Sequence, residues 1–244
     1  MQRCNKCPNV DAVAVDGCVK LCLVKPDSCI TFSQYVSRFL STLNTSVARV
    51  DVVWGAYWKS TVKLARSTRG SGCRTRVRPT TKIPTNWESF LRVGGNIDEL
   101  VELIATGIQE HSQDEAVIVS TLGEGVVSNC TGMEYDHLSP CTQEEADSRI
   151  MLHVADMVRN NMTRIQVRTV DTDVVVICVA HFHHIPGLEE LWIAFGRGKQ
   201  FRYIPVHTIA RRLGAAKCKA LLGFHALTGC DSASAFYGKR KKGP

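Results

Sequence analysis

The stretch VRTVDTDVVVICVAHF, Val167 to Phe182, sets Asp171 and Asp173 one residue apart between two apolar runs. Ligands of parallel α/β sheets gather at the carboxyl ends of the strands, so acidic residues that terminate strands are candidates for chemistry. Four places qualify: Asp16 ends VAVD, Glu145 and Asp147 open a helical segment, Asp171 and Asp173 follow VRTV, and Asp231 follows FHALTGC. Six carboxylates brought together repel one another unless cations neutralise them. The oxygen-seeking ions Mg2+ or Mn2+ would serve. Each position also has a structural alternative. Asp16 before Gly17 can begin a turn, Glu145 can close a capping box with Thr142, Asp173 can cap a helix from Val174, and Asp231 can serve Ser232 to Ser234. Residues two apart on a regular helix point about 200° apart, so Glu145 and Asp147 share a site only if Glu145 lies at the frayed start of its helix.

The elements that must position these groups are written in the hydrophobic pattern. β-branched runs recur at VDAVAVD, RVDVVW, EAVIVSTL, RIQVRTV and ELWIAFG, with helical periodicity between several of them, which predicts an α/β domain with a mostly parallel sheet. TFSQYVSRFLSTL starts at a candidate N-cap, Thr31 or Ser33, and puts Tyr35, Val36, Phe39, Leu40 and Leu43 on one stripe. NIDELVELIATGI predicts a helix capped by Asn96, with Gly94 and Gly95 as the break before it and Leu100, Leu103 and Ile104 buried. TQEEADSRIMLHVADMVRNN predicts a third, burying Ala146, Ile150, Val154 and Met157 or Val158. Farther on, LWIAFG and QFRYIPV read as a hairpin around RGK, and HTIARRLG and AAKCKALLGFHALTG as two closing helices. At 244 residues and without a low-complexity linker, the chain is expected to form one domain.

The formal charge is +7, unevenly spread. From Val52 to Trp87 there is no acidic residue, while Lys59, Lys63, Arg66, Arg69, Arg74, Arg76, Arg78 and Lys82 all fall inside. Such a stretch repels itself and is expected to stay extended, either as a phosphate-tracking surface or as a solvated loop. Lys239 to Lys242, KRKK, has the composition of a nuclear-import patch. Eleven cysteines in no framework spacing suit a reducing, intracellular compartment. The longest apolar run, VVVICVA, is far short of a membrane span.

The ordered acidic set carries a resemblance. VAVDG, EEAD, VDTD and LTGCD, in that order, resemble the motifs of the flap endonuclease and XPG-like branch of PIN-domain nucleases, and the similarity runs over nearly the whole chain. RTVDTDVVV and FHALTGCD look closer still to a group of uncharacterised eukaryotic proteins that form a divergent offshoot of that branch. The resemblance implies a single PIN-like domain over residues 1–244, with a basic arch-like insertion at residues 59–95. It implies that Asp16, Glu145, Asp147, Asp171, Asp173 and Asp231 are catalytic and metal-binding. Two Mg2+ or Mn2+ ions roughly 4 Å apart would then support hydrolysis of DNA or RNA phosphodiesters, with single-stranded or flap nucleic acid as partner. Lys59 to Lys82 fall where the family places its arch, so these cations would grip phosphates.

Two departures bear on activity. The family carries a further aspartate after its second strand, in a phrase such as VVFD; here VDVVWGAYWKS puts Gly55 at that position. Asp51 does not substitute, because four residues of strand, roughly 13 Å, separate it from Gly55. Hydrolysis is expected to be impaired or absent with nucleic-acid binding retained. The family also continues past its last aspartate into a duplex-binding region, whereas this sequence has SASAFYGKRKKGP.

Rival readings remain open. A binding or interaction module on the same fold needs no catalysis. VRTVDTDVV also fits the Asp-x-Asp phrase of haloacid-dehalogenase-type phosphatases, with Asp171 as nucleophile and Asp173 as general acid, although that phrase normally opens its domain. His181, His183 and His184 lie close together but lack an evident carboxylate or cysteine partner, and read as a partly exposed loop. His225 reads as a packed helix residue rather than a general base. Cys4 and Cys7 have zinc-knuckle spacing without a second pair, and GRGK, Gly196 to Lys199, lacks the spacing of a phosphate-binding P-loop.

Overall fold

The computed structural model describes residues 7–55, 72–112, 116–142 and 146–228. Its strands are β1 (Ala12–Asp16), β2 (Arg49–Val53), β3 (Val117–Leu122), β4 (Gly125–Ser128), β5 (Arg164–Thr169), β6 (Glu190–Phe195) and β7 (Arg202–Pro205). They form a mixed, mostly parallel sheet in the order β4-β3-β2-β1-β5-β6-β7. The helices among the described residues are α1 (Gly17–Leu23), α2 (Phe32–Ser41), α3 (Trp87–Phe90), α4 (Gly94–Gln109), α5 (Ala146–Arg159), α6 (Thr172–His181), α7 (Val206–Leu213) and α8 (Ala215–Thr228). The α/β class and the mostly parallel sheet follow the sequence pattern. None of these helices is long and apolar enough to cross a membrane. The chain divides into two compact units, Val13–Ile150 and Met1–Ala12 with Met151–Pro244.

In the first unit, β2 runs parallel to β3, pairing Arg49 with Val117 through Val52 with Ser120, and β4 folds back antiparallel on β3. All five residues of β1 and of β2 are buried, as a strand covered on both faces requires. Helix α2 begins where its sequence says it should. Thr31 accepts a hydrogen bond from the Gln34 N–H while the Gln34 side chain reaches back to the Thr31 N–H, a closed capping box. Its predicted stripe, Tyr35, Val36, Phe39, Leu40 and Leu43, is buried. An aromatic cluster fills the space around it: Tyr35 lies 4.6 Å from Trp87, Trp87 4.9 Å from Phe90, Phe90 5.4 Å from Phe32, and Phe39 6.1 Å from Trp54, centroid to centroid.

Helix α4 corrects one expectation. It starts at Gly94 with Val93 as N-cap, so Gly94 and Gly95 form its first turn and Asn96 is inside it. Asn96 is fully buried and holds the preceding chain instead of its own helix. Its Oδ1 accepts from Thr75 N and Arg74 Nη1, both at 2.9 Å, and its Nδ2 donates to Cys73 O and Phe90 O, both at 3.0 Å. The four polar contacts outcompete a single cap bond and draw the side chain inward.

In the second unit, β5 and β6 are parallel and β6 and β7 antiparallel, the expected hairpin, turning through Gly196 and Gly198, both at positive φ. Arg168 staples that turn: Nη1 donates to Thr169 O and Ala194 O and Nη2 to Gly196 O, at 2.7–2.8 Å. At the start of β5, Asp11 accepts from the N–H groups of Thr163 and Arg164 and from the Arg164 guanidinium. That ion pair holds the Asp11 carboxyl below its ordinary range.

Candidate functional site

In the unit Val13–Ile150, Asp16 is the last residue of β1 and the N-cap of α1; its Oδ1 accepts from Val19 N at 3.0 Å. The strand passes into the helix with no intervening loop. That abrupt turn depends on Gly17, where a Cβ would stand 2.3 Å from the Trp54 ring. Trp54 is itself pinned, with its N–H donating to Thr121 Oγ1 at 2.7 Å and its indole Nε1 to Ser120 Oγ at 2.9 Å. Gly55 follows it, buried, two residues beyond the end of β2.

Asp51 is committed elsewhere. Arg49 and Asp51, two apart on β2, point to the same side and form a fully buried ion pair, Nε to Oδ1 at 2.7 Å and Nη2 to Oδ2 at 2.8 Å. Such a pair persists in a sheet interior because each charge compensates the desolvation of the other. Asp147 lies in the first turn of α5, partly exposed; Glu145 falls outside the described residues. On the same helix the buried Arg149 donates Nη1 to Gly123 O at 2.8 Å, tying α5 to the β3–β4 turn.

In the other unit, Asp171 is the N-cap of α6. Its Oδ1 accepts from the Asp173 N–H at 2.8 Å, and its own N–H donates to Thr169 Oγ1 at 3.1 Å. The apolar run after the pair is therefore helix, opened by the first aspartate of the pair and not, as the sequence alternative had it, by Asp173. Asp173 faces His225 from α8, Oδ1 to Nε2 at 2.7 Å, with both side chains largely covered. His225 is a packed helix residue, as read from the sequence, but it also holds a site aspartate. Fifty-two positions separate the two, and no local pattern announces the pair. Asp231 falls outside the described residues.

The fit to a metal is thus incomplete. Among the described residues, no three side chains of His, Cys, Asp or Glu are placed to hold a metal ion. Asp16 and Asp171 each cap a helix through Oδ1, and Asp173 meets His225 through Oδ1. The histidine cluster is likewise occupied: His181 Nδ1 lies 2.9 Å from Ile177 O and His183 Nε2 3.0 Å from Ala210 O.

Of the eight expected phosphate-gripping cations, Lys59, Lys63, Arg66 and Arg69 fall outside the described residues. Arg74, Arg76, Arg78 and Lys82 are exposed. The basic stretch is not uncompensated, as its sequence suggests, because Glu99 on α4 accepts from Arg74 Nη2 at 2.5 Å, Arg76 Nη1 at 2.8 Å and the Val77 N–H at 2.7 Å. These donors hold the Glu99 carboxyl at about 2, the Val77 N–H contributing most. The acidic partner lies more than 20 residues along the chain, outside any local charge window. No known family model and no curated protein matches the chain.

Proposed function

We propose that this chain is a divergent flap-endonuclease-like domain that binds nucleic acid, with phosphodiester hydrolysis weakened at Gly55. The observation that supports it is the strand-end placement of the acidic residues. Asp16 ends β1, and Asp171 lies two residues after the end of β5; each caps the helix that follows, at the strand end where parallel α/β folds hold ligands. Gly55, at the corresponding point after β2, supplies no carboxylate, and the buried Arg49 fixes Asp51. The exposed cations from Arg74 to Lys82 supply sequence-independent affinity for phosphates. Mg2+ or Mn2+ is the cofactor that the resemblance carries, and Lys239 to Lys242 would favour a nuclear location.

The decisive test incubates the full chain with labelled single-stranded and 5′-flap DNA in Mg2+ and in Mn2+, beside Asp171→Ala and Gly55→Asp variants. Binding with little or no cleavage by the wild type, and cleavage gained in Gly55→Asp, are the expected results. Cleavage by the wild type that Gly55→Asp does not accelerate and Asp171→Ala abolishes would show a site intact without the missing aspartate. A phosphorylated Asp171 trapped from a phosphomonoester would favour the phosphatase reading instead.

A further inference from the structure

Three donors converge on one carboxylate beside a cleft of about 330 Å³ lined by Arg76, Val77, Arg78, Glu99 and Glu102. The arrangement is held from behind. Arg74 Nη1 donates to Thr75 O at 2.7 Å and to the Oδ1 of the fully buried Asn96 at 2.9 Å, so its guanidinium is fixed before Nη2 meets Glu99. The Val77 N–H is placed by the same chain segment, which Asn96 grips through Cys73 and Thr75. Two guanidiniums and a backbone N–H around a pair of oxygens form the donor set that a phosphate takes as readily as a carboxylate. Arg76 is 78% exposed and Arg74 45%, whereas the Glu99 side chain is only 19% exposed. The donors therefore face solvent over the anion they hold.

We propose that Arg74, Arg76 and the Val77 N–H form a phosphate-binding cradle, and that Glu99 occupies it as a built-in competitor that an incoming phosphodiester displaces. The choice of a nucleic-acid ligand rests on the function proposed above; the anion cradle does not. Arg78 on the same cleft extends the positive surface and Glu102 opposes it, so Glu99 decides whether this patch attracts or tolerates a polyanion. The device gives weak, salt-sensitive binding in the resting protein and stronger binding once several phosphates arrive together.

The test uses the full chain as wild type, Glu99→Gln, and Glu99→Gln combined with Arg74→Ala and Arg76→Ala. Binding of a labelled single-stranded oligonucleotide is measured by anisotropy across salt, and the Val77 amide is followed by NMR during titration with tripolyphosphate. Far-UV circular dichroism confirms that each variant is folded. Both proteins reach the same phosphate contacts, but the wild type must first break those of Glu99, so Glu99→Gln should bind about tenfold more tightly at each salt concentration with a similar salt slope. The arginine substitutions should erase the difference. Equal DNA affinity in wild type and Glu99→Gln would overturn the cradle while leaving the nucleic-acid reading in place. A Val77 shift with tripolyphosphate in Glu99→Gln, with no DNA binding by any variant, would keep the cradle and overturn nucleic acid as its ligand. No response to either probe would overturn both.

Discussion

At the residue scale, the buried pair Arg49–Asp51 shows how a carboxylate that looks available in sequence is spent. Its two hydrogen bonds lie inside β2, where water cannot substitute for either partner. Replacing Asp51 by Asn withdraws the compensating charge from a fully buried guanidinium, and we expect a loss of about 3–5 kcal/mol in urea unfolding. Replacing both residues by leucine and methionine should cost far less, because no uncompensated charge remains. A single variant as mild as the double one would contradict this. The alternation of side chains along a strand makes the pair readable in hindsight, since positions two apart share a face. The Asp173–His225 contact offers no such cue, because its partners come from helices at distant points of the sequence.

At the element scale, the chain was most readable where one element carries its own signals. Helix α2 has its cap, its capping-box partner and its apolar stripe within thirteen residues, and all appear as read. Helix α4 departs from its sequence pattern at its start because the Gly-Gly pair is accommodated in the first turn, while Asn96 answers to residues 73–75. The four-residue strand β4 is too short to leave a period. The transition from β1 to α1 depends on a contact from the residue that follows β2, the Trp54 ring over Gly17. Gly17→Ala should force the indole or the helix start to move, costing roughly 1–3 kcal/mol by overpacking. Thermal unfolding compared with Gly223→Ala, at a position with open space around it, is the control; equal effects would remove the steric account.

At the scale of the whole molecule, Glu99 and Tyr35 tie stability to pH in opposite directions. The Glu99 carboxyl lies at about 2, below its ordinary 4.5. Its contribution is therefore complete above 4.5 and is lost as pH falls toward 2. The stability difference between wild type and Glu99→Gln should be constant above that window and close within it. Burial and the neighbouring Cys22 and Cys29 push the Tyr35 phenol upward from 10.0. Above pH 10 the unfolded chain ionises while the folded one stays neutral, so stability falls as pH rises. Tyr35→Phe, which loses the 3.0 Å bond from the hydroxyl to Val24 O, should be less stable near neutrality but lose less stability above pH 10. Parallel pH curves for the two proteins would refute that assignment.

The clasp of Asp11 on Thr163 and Arg164 bridges 153 positions of sequence. A ribosome must deliver 153 residues beyond Asp11 before it meets Arg164. Such late closure favours slow folding, since a long loop must be ordered before the contact repays it. During synthesis the Asp11 carboxylate waits over that span for Thr163 and Arg164, and chaperones acting at that stage would meet the segment around it first.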